Sequence, residues 1–218
     1  MAIKILQLTL GAVATNAYMV GDTDTKQALV IDPVDDADAL YAAANKEGWS
    51  IELILATHAH FDHVLASKGL KELTGAPFYI HEECVPWLEQ LPSQGRMFGL
   101  PPFPEAATPD RLLTSESETI ELGSIKLKTL YTPGHAPGHI SFYMADEQLV
   151  FSGDTLFAGS IGRTDLPGGD YDLLMQSIFK HLLPLGDETQ VLAGHMQNTS
   201  IGRERQTNPF LLDYLEKQ

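Results

Sequence analysis

The stretch His58-Ala59-His60-Phe61-Asp62-His63 packs three imidazoles and a carboxylate into six residues. Such a donor set suits a divalent metal ion and, through it, the activation of water. The apolar run before it, Ile51 to Thr57, reads as a buried strand. Histidines two apart at a strand end project to one side, and Asp62 and His63 then fall in the turn that starts the next helix, so four ligand-type groups converge. Three more candidates each follow a glycine that lets backbone come close: His135 in Thr132-Pro133-Gly134-His135, Asp154 in Ser152-Gly153-Asp154 and His195 in Ala193-Gly194-His195. A two-metal site needs about three protein ligands per ion and a carboxylate able to bridge them. On that count His58, His60 and His135 would hold one ion, Asp62, His63 and His195 the other, with Asp154 between. Bound divalent metal lowers the pKa of water from about 15.7 to near 7, giving hydroxide without a protein base, and Asp62 is placed to orient it as well as to bind metal. The expected cofactor is therefore a pair of divalent ions, zinc first, with iron or manganese as alternatives. No Gly-x-Ser-x-Gly elbow offers a serine nucleophile instead.

The elements that must position these groups alternate between strands and helices. Ile3 to Leu10, Ala17 to Val20 and Ala28 to Ile31 read as a strand meander, Asp35 to Lys46 as a helix stopped by Gly48, Val64 to Leu73 as a helix ending near Gly75, and Phe78 to Ile80 as a strand. Between Gln90 and Asp110 five prolines and two glycines predict a long irregular loop, either a flap over the site or a plain surface excursion. Beyond it, Thr119 to Leu122 and Ile125 to Tyr131 form a hairpin around Gly123-Ser124, and Ile140 to Met144 pairs with Leu149 to Ser152. Tyr171 to Leu183 is an amphipathic helix, Gln190 to Ala193 a last strand and Pro209 to Glu216 a terminal helix. Both halves run strands first and helices after.

Composition narrows the partners. With 218 residues, 44% of them hydrophobic, one domain over 1–218 is expected. Lys and Arg number 14 against 29 Asp and Glu, a net charge of −15 that argues against nucleic acid. No apolar run is long enough for a membrane span, and the start does not read as a signal peptide. A cytoplasmic protein acting on a small-molecule substrate is expected, and Cys84, the sole cysteine, reads as a packing residue at a helix start.

The ordered set Thr57-His58-x-His60-x-Asp62-His63, His135, Asp154 and His195 resembles the metallo-β-lactamase superfamily over nearly the whole chain. That resemblance implies an α+β fold, a four-layer αββα sandwich with the metals at one edge. Within it, Phe151 to Phe157, Gly159 to Asp165 and Ile201-Gly202-Arg203-Glu204-Arg205 are similar to the glyoxalase II group, whose members hydrolyse hydroxyacylglutathione thioesters. With Gln218 taken as the end, the helical C-terminal domain through which longer members hold glutathione is missing. The chain then fits the short, single-domain glyoxalase II-like proteins of microbes, with the thiol half of the substrate open. A second departure is Ala193-Gly194-His195-Met196 where this group has Pro-Gly-His-Gly, so Met196 brings bulk beside a candidate ligand.

Residues around these motifs carry weaker signals. Asp32 either orients a metal-bound histidine or caps a turn. His139 reads first as a hydrogen-bonded structural histidine, His81 and His181 as ordinary, and Arg163 as a partner of Asp165 or backbone before it is a partner of a substrate carboxylate. Gly168-Gly169 is no phosphate loop, since no Gly-Lys-Ser/Thr follows. The rival readings are a one-iron persulfide dioxygenase related to glyoxalase II, and a metal-binding or redox domain of the same fold. Lactonase and β-lactamase activities share the metal chemistry, but no export signal supports a lactamase.

Overall fold

The computed structural model describes residues 3–97 and 99–217. Three strands, β1 (Ile3–Leu10), β2 (Thr15–Asp22) and β3 (Gln27–Ile31), pair antiparallel in sequence order. Helix α1 (Ala37–Glu47) follows, its N-terminus capped by the Asp36 carboxylate accepting from Ala39 N–H and its C-terminus closed by Gly48 at φ 71°. It returns the chain to β4 (Ser50–Leu55), which lies parallel to β3. Two helices, α2 (Phe61–Val64) and α3 (Ser67–Thr74), then lead to β5 (Phe78–His81), and α4 (Val85–Glu89) and α5 (Leu91–Met97) to β6 (Arg111–Leu113). Strands β1 to β6 make one sheet in chain order.

The second half contributes β7 (Thr119–Leu122), β8 (Ile125–Tyr131), β9 (Ile140–Met144), β10 (Leu149–Gly153), a small ribbon of β11 (Leu156–Phe157) and β12 (Ser160–Ile161), then α6 (Tyr171–Ser177), β13 (Gln190–Ala193), β14 (Thr199–Ser200), α7 (Ile201–Thr207) and α8 (Pro209–Glu216). Its main sheet runs β14-β13-β10-β9-β8-β7. Because β9 is antiparallel to both β8 and β10, and β13 is parallel to β10, the strands β8, β10 and β13 all end at the same edge. His135, Asp154 and His195 follow those three ends.

Three apolar layers separate four layers of structure. Tyr18, Leu29, Ile31, Leu55, Phe142 and Phe151 pack between the two sheets. Leu40, Leu70 and Trp49 join helices to the outer face of the first sheet, and Leu174, Ile178, Ile201 and Leu211 do the same for the second. This is the αββα sandwich expected above.

Apart from shifts at element ends and the unexpected short elements β6, β11, β12, β14, α4 and α7, three elements differ from expectation. The Pro-rich segment contains α5, because Pro92 lies in its first turn, where a missing N–H breaks no helical bond. The helix read from Val64 is two helices, with Leu65 and Ala66 between them. The long helix read from Tyr171 to Leu183 ends as α at Ser177 and continues as a π turn over Ile178–Leu182 and a 3₁₀ turn over Leu183–Leu185, where Pro184 cannot continue an α ladder.

Candidate metal centre

Strand β4 ends at Leu55, earlier than the expected Thr57, and the chain runs without regular structure, bending at Thr57, to His60 before α2 begins. His58 and His60 lie in that connection, while Asp62 and His63 belong to the first turn of α2. The loop after β8 brings His135 Nε2 to 2.9 Å from His60 Nδ1, which also stands 3.1 Å from His58 Nε2. On the other side His195 Nε2 is 3.2 Å from Asp62 Oδ2, and His63 Nε2 is 3.5 Å from that oxygen. Asp154 lies between, with Oδ1 3.4 Å from His63 Nε2 and Oδ2 3.5 Å from His135 Nε2 and 3.4 Å from His195 Nε2. All seven sequence candidates therefore meet. Three groups of them could hold a metal ion, His58–His60–His135, His58–His63–Asp154 and Asp62–His63–His195, the donor atoms of each lying within 4.8 Å of one another.

Hydrogen bonds behind the cluster aim the donors inward. Asp32, buried, accepts from Thr57 N–H at 2.7 Å, from the Thr57 hydroxyl at 2.9 Å and from His63 Nδ1 at 2.9 Å. Since the Thr57 hydroxyl donates to Asp32, its oxygen accepts from His58 Nδ1 at 3.0 Å. His135 Nδ1 donates to the Arg163 carbonyl at 2.7 Å. In the neutral rings of His58, His63 and His135 the proton thus sits on Nδ1 and the Nε2 lone pair faces the cluster, the tautomer these rings need to bind metal through Nε2. Asp32 is the orienting carboxylate of the two readings open from sequence. His139 accepts from Asp154 N–H at 3.0 Å and contacts the Thr132 hydroxyl at 3.0 Å, so it is hydrogen-bonded as expected and also fixes the backbone of Asp154. The Arg163 side chain pairs with Asp165.

Residues without a motif complete the frame. Thr15 donates to Asp62 Oδ2 at 2.7 Å; Asn16 Nδ2 donates to the carbonyls of Ala193 and Met196 at 3.0 Å each; and Tyr18 donates to the Ala193 carbonyl at 2.7 Å. Gln94, from the Pro-rich segment, accepts from Phe61 N–H at 2.9 Å and donates to the Ala59 carbonyl at 3.0 Å. None of these was singled out from sequence; polar side chains in a strand with every residue buried were the available sign for the first three. Glycine matters at Gly194, where a Cβ would overlap Asp154 Oδ1 and stand 2.8 Å from His63 Cε1. Met196 sits at φ 64° with its side chain 58% exposed. The left-handed backbone at that position favours glycine, and Met196 is largely exposed there.

The electrostatics fit bound cations. Among the described residues three buried side-chain polar atoms have no hydrogen-bond partner, and two of them, His63 Nε2 and Asp154 Oδ1, face each other here. Burial and neighbouring imidazoles push His58 well below the usual histidine range, and burial with His135 alongside takes His60 to about 3. At the other set burial is outweighed: Asp62, Asp154 and Asp32 lift His63 well above its usual range, and Asp154 and Asp62 bring His195 up to about 10. Neutral imidazoles on one side and carboxylates demanding positive charge on the other are what a pair of divalent ions would satisfy.

Fold and cluster together define a metallo-hydrolase-like protein with its donors at one edge of a two-sheet sandwich. The model of the metallo-β-lactamase superfamily matches residues 10–195, and the chain belongs to that superfamily. It is 41% identical over 212 residues to the hydroxyacylglutathione hydrolase GloC of Haemophilus influenzae, covering 97% of this chain and 98% of that protein. Among solved structures it is similar to the B3 metallo-β-lactamase BLEG-1, with 41% identity, a TM-score of 0.89 and coverage of 95% of this chain and 99% of that one. It also resembles TTHA1623 in a di-iron-bound form, with 42% identity, a TM-score of 0.85 and coverage of 94% and 100%. No described helix is long and apolar enough to cross a membrane.

Proposed function

We propose that this protein is a dinuclear metal-dependent thioester hydrolase of glyoxalase II type, with hydroxyacylglutathione among its substrates and residues 1–218 working as one domain in the cytoplasm. The observation that carries this reading is the convergence of two three-residue donor groups on Asp154, whose oxygens approach both. His58, His60 and His135 would hold one ion and Asp62, His63 and His195 the other, with Asp154 shared. Imidazole-rich donors suit zinc, and iron and manganese are accepted by the same mixed set; the likeness to a di-iron protein supports keeping iron in view. When bound, such ions supply hydroxide near neutral pH and polarise a carbonyl. The protein's own part is to hold Nε2 lone pairs inward through Asp32, Thr57 and the Arg163 carbonyl, and to orient the attacking oxygen with Asp62, itself fixed by Thr15. In the net reaction water adds its oxygen to the acyl carbon and the C–S bond breaks; one proton of the water ends on the departing sulfur, giving the thiol, and the other passes to solvent as the acid ionises.

The test is a hydrolysis screen of glutathione and other thioesters with metal content measured on the same sample. Cleavage with about two ions per chain is expected. One iron per chain with oxygen uptake on glutathione persulfide would overturn the assignment. A second reading, opening of a β-lactam amide, draws support from the likeness to BLEG-1 and is checked in the same screen with a chromogenic cephalosporin.

A further inference from the structure

Five of the candidate ligands line a cavity of about 290 Å³ whose wall beyond them is mostly apolar, from Val13, Phe61, Trp87, Leu100, Leu166 and Pro167. Two further polar side chains reach this wall: Gln94 is engaged elsewhere, and Arg163 gives two of its five N–H groups to Asp165. Gln94 has its Oε1 on Phe61 N–H at 2.9 Å and its Nε2 on the carbonyls of Ala59 at 3.0 Å and Trp87 at 3.2 Å. Arg163 donates through Nε and Nη2 to the two oxygens of Asp165, each at 2.7 Å. Methylene groups pressed against the apolar part of this wall would gain by leaving water, whereas a hydroxyl or carboxylate there would give up water with no side-chain partner but the remaining N–H groups of Arg163.

A second groove, of about 520 Å³ and more open, shares Val13, Asp154, Arg163 and His195 with the cavity and is rimmed by Phe157 and Met196. The two spaces thus meet at Asp154 and His195. The two halves of a thioester differ in the same way. An acyl group can end inside a cavity, and this one is at the small end of small-molecule sites. A carrier thiol continues beyond the sulfur and has to pass out to solvent.

We infer, resting on the thioester reading above, that the smaller cavity receives an apolar acyl group and sets the preference of the site, while the carrier lies in the more open groove and is little discriminated. Selection then follows acyl size and not the charge of the thiol. Against the apolar part of the wall a 2-hydroxy substituent gains less than a methylene does.

The experiment measures kcat/KM of the metal-loaded protein for acetyl, butanoyl and hexanoyl thioesters of glutathione and of uncharged N-acetylcysteamine, with lactoylglutathione alongside. Each methylene that enters the cavity raises kcat/KM about fourfold, so butanoyl exceeds acetyl by more than about tenfold. Lactoylglutathione falls below butanoylglutathione, and the two carriers agree within about threefold. Leu100→Asn, at a residue 44% exposed in the wall, lowers the butanoyl-to-acetyl ratio by about threefold or more. A flat acyl series, a lactoyl preference, or a preference for glutathione above about tenfold would overturn the inference. Lactoylglutathione cleavage with a flat series leaves the thioester reading standing and removes only this one; no cleavage of any thioester removes both.

Discussion

The two donor sets that meet at Asp154 are built by different means. In His58, His60 and His135 the donors are imidazoles alone, two of them buried, kept neutral by that burial and by one another. Asp62, His63 and His195 mix carboxylate with imidazole, and the His195 side chain is 21% exposed on a connection held by Asn16 and Tyr18 of β2. Hydrogen bonds aim donors in both sets, and the difference lies at His195, which is partly exposed and whose connection is held by a hairpin from the other half of the chain. The second set is the one expected to release its ion first. Asp154→Asn is the strongest challenge to this comparison, because it removes the anion both sets share. Metal analysis should find both ions depleted, and turnover should fall by more than the roughly 10–100-fold typical of a lost outer-shell partner. Wild-type metal content and rate would refute the two-metal arrangement altogether.

Single-set variants separate the halves. His195→Ala is expected to leave about one ion per chain, with kcat reduced about a hundredfold, while the His58–His60–His135 ion survives chelator challenge. His60→Ala should instead weaken that first ion, and identical chelator profiles for the two variants would erase the distinction drawn here. Asp32→Asn probes the layer behind both. An amide there places a donor toward His63 Nδ1, which now donates to the carboxylate at 2.9 Å, and so selects the wrong tautomer. Second-ion affinity should drop about 10–100-fold, with a smaller loss at the first ion through Thr57 and His58. Isothermal titration of the apo variant reads both steps, and equal losses would mean that Asp32 supports the loop and not the tautomer.

How much of this was legible in the sequence follows from how each residue acts. His58, His60, Asp62, His63, His135, Asp154 and His195 could be read because ligand types are few and spacing at strand ends brings them together. Asp32 was visible as the carboxylate closing an apolar strand, though only the fold decides between a cap and a ligand support. Thr15, Asn16 and Tyr18 were not, since they act by hydrogen bonds across the whole chain, Asn16 to Ala193 spanning 177 positions, and locally resemble any buried strand. The order of the longer strands and helices of both halves came through from periodicity, while the short β6, β11, β12 and β14 and helices α4 and α7 did not. Helix α5 did not, because a proline count ignores where in a helical turn each proline falls.

Met196 supplies the smallest effect and bears on the same contrast. The second set is closed by a residue at φ 64°, a conformation that costs an L side chain about 1–2 kcal/mol and glycine almost nothing. Glycine in turn loses about 0.5–1 kcal/mol through the greater freedom of its unfolded chain. Met196→Gly should therefore stabilise the protein by only about 0.5–1 kcal/mol, a rise in Tm of about 1–4 °C in thermal unfolding of the apo form. The Asn16 hydrogen bond to its carbonyl does not depend on the side chain, so His195 stays in place and second-ion affinity should change by less than about threefold. A fall in Tm would mean that the exposed thioether packs against something that its 58% exposure does not indicate. A large gain in second-ion affinity would show that the strained turn, and not the hydrogen bonds from β2, limits how well this half of the centre is formed.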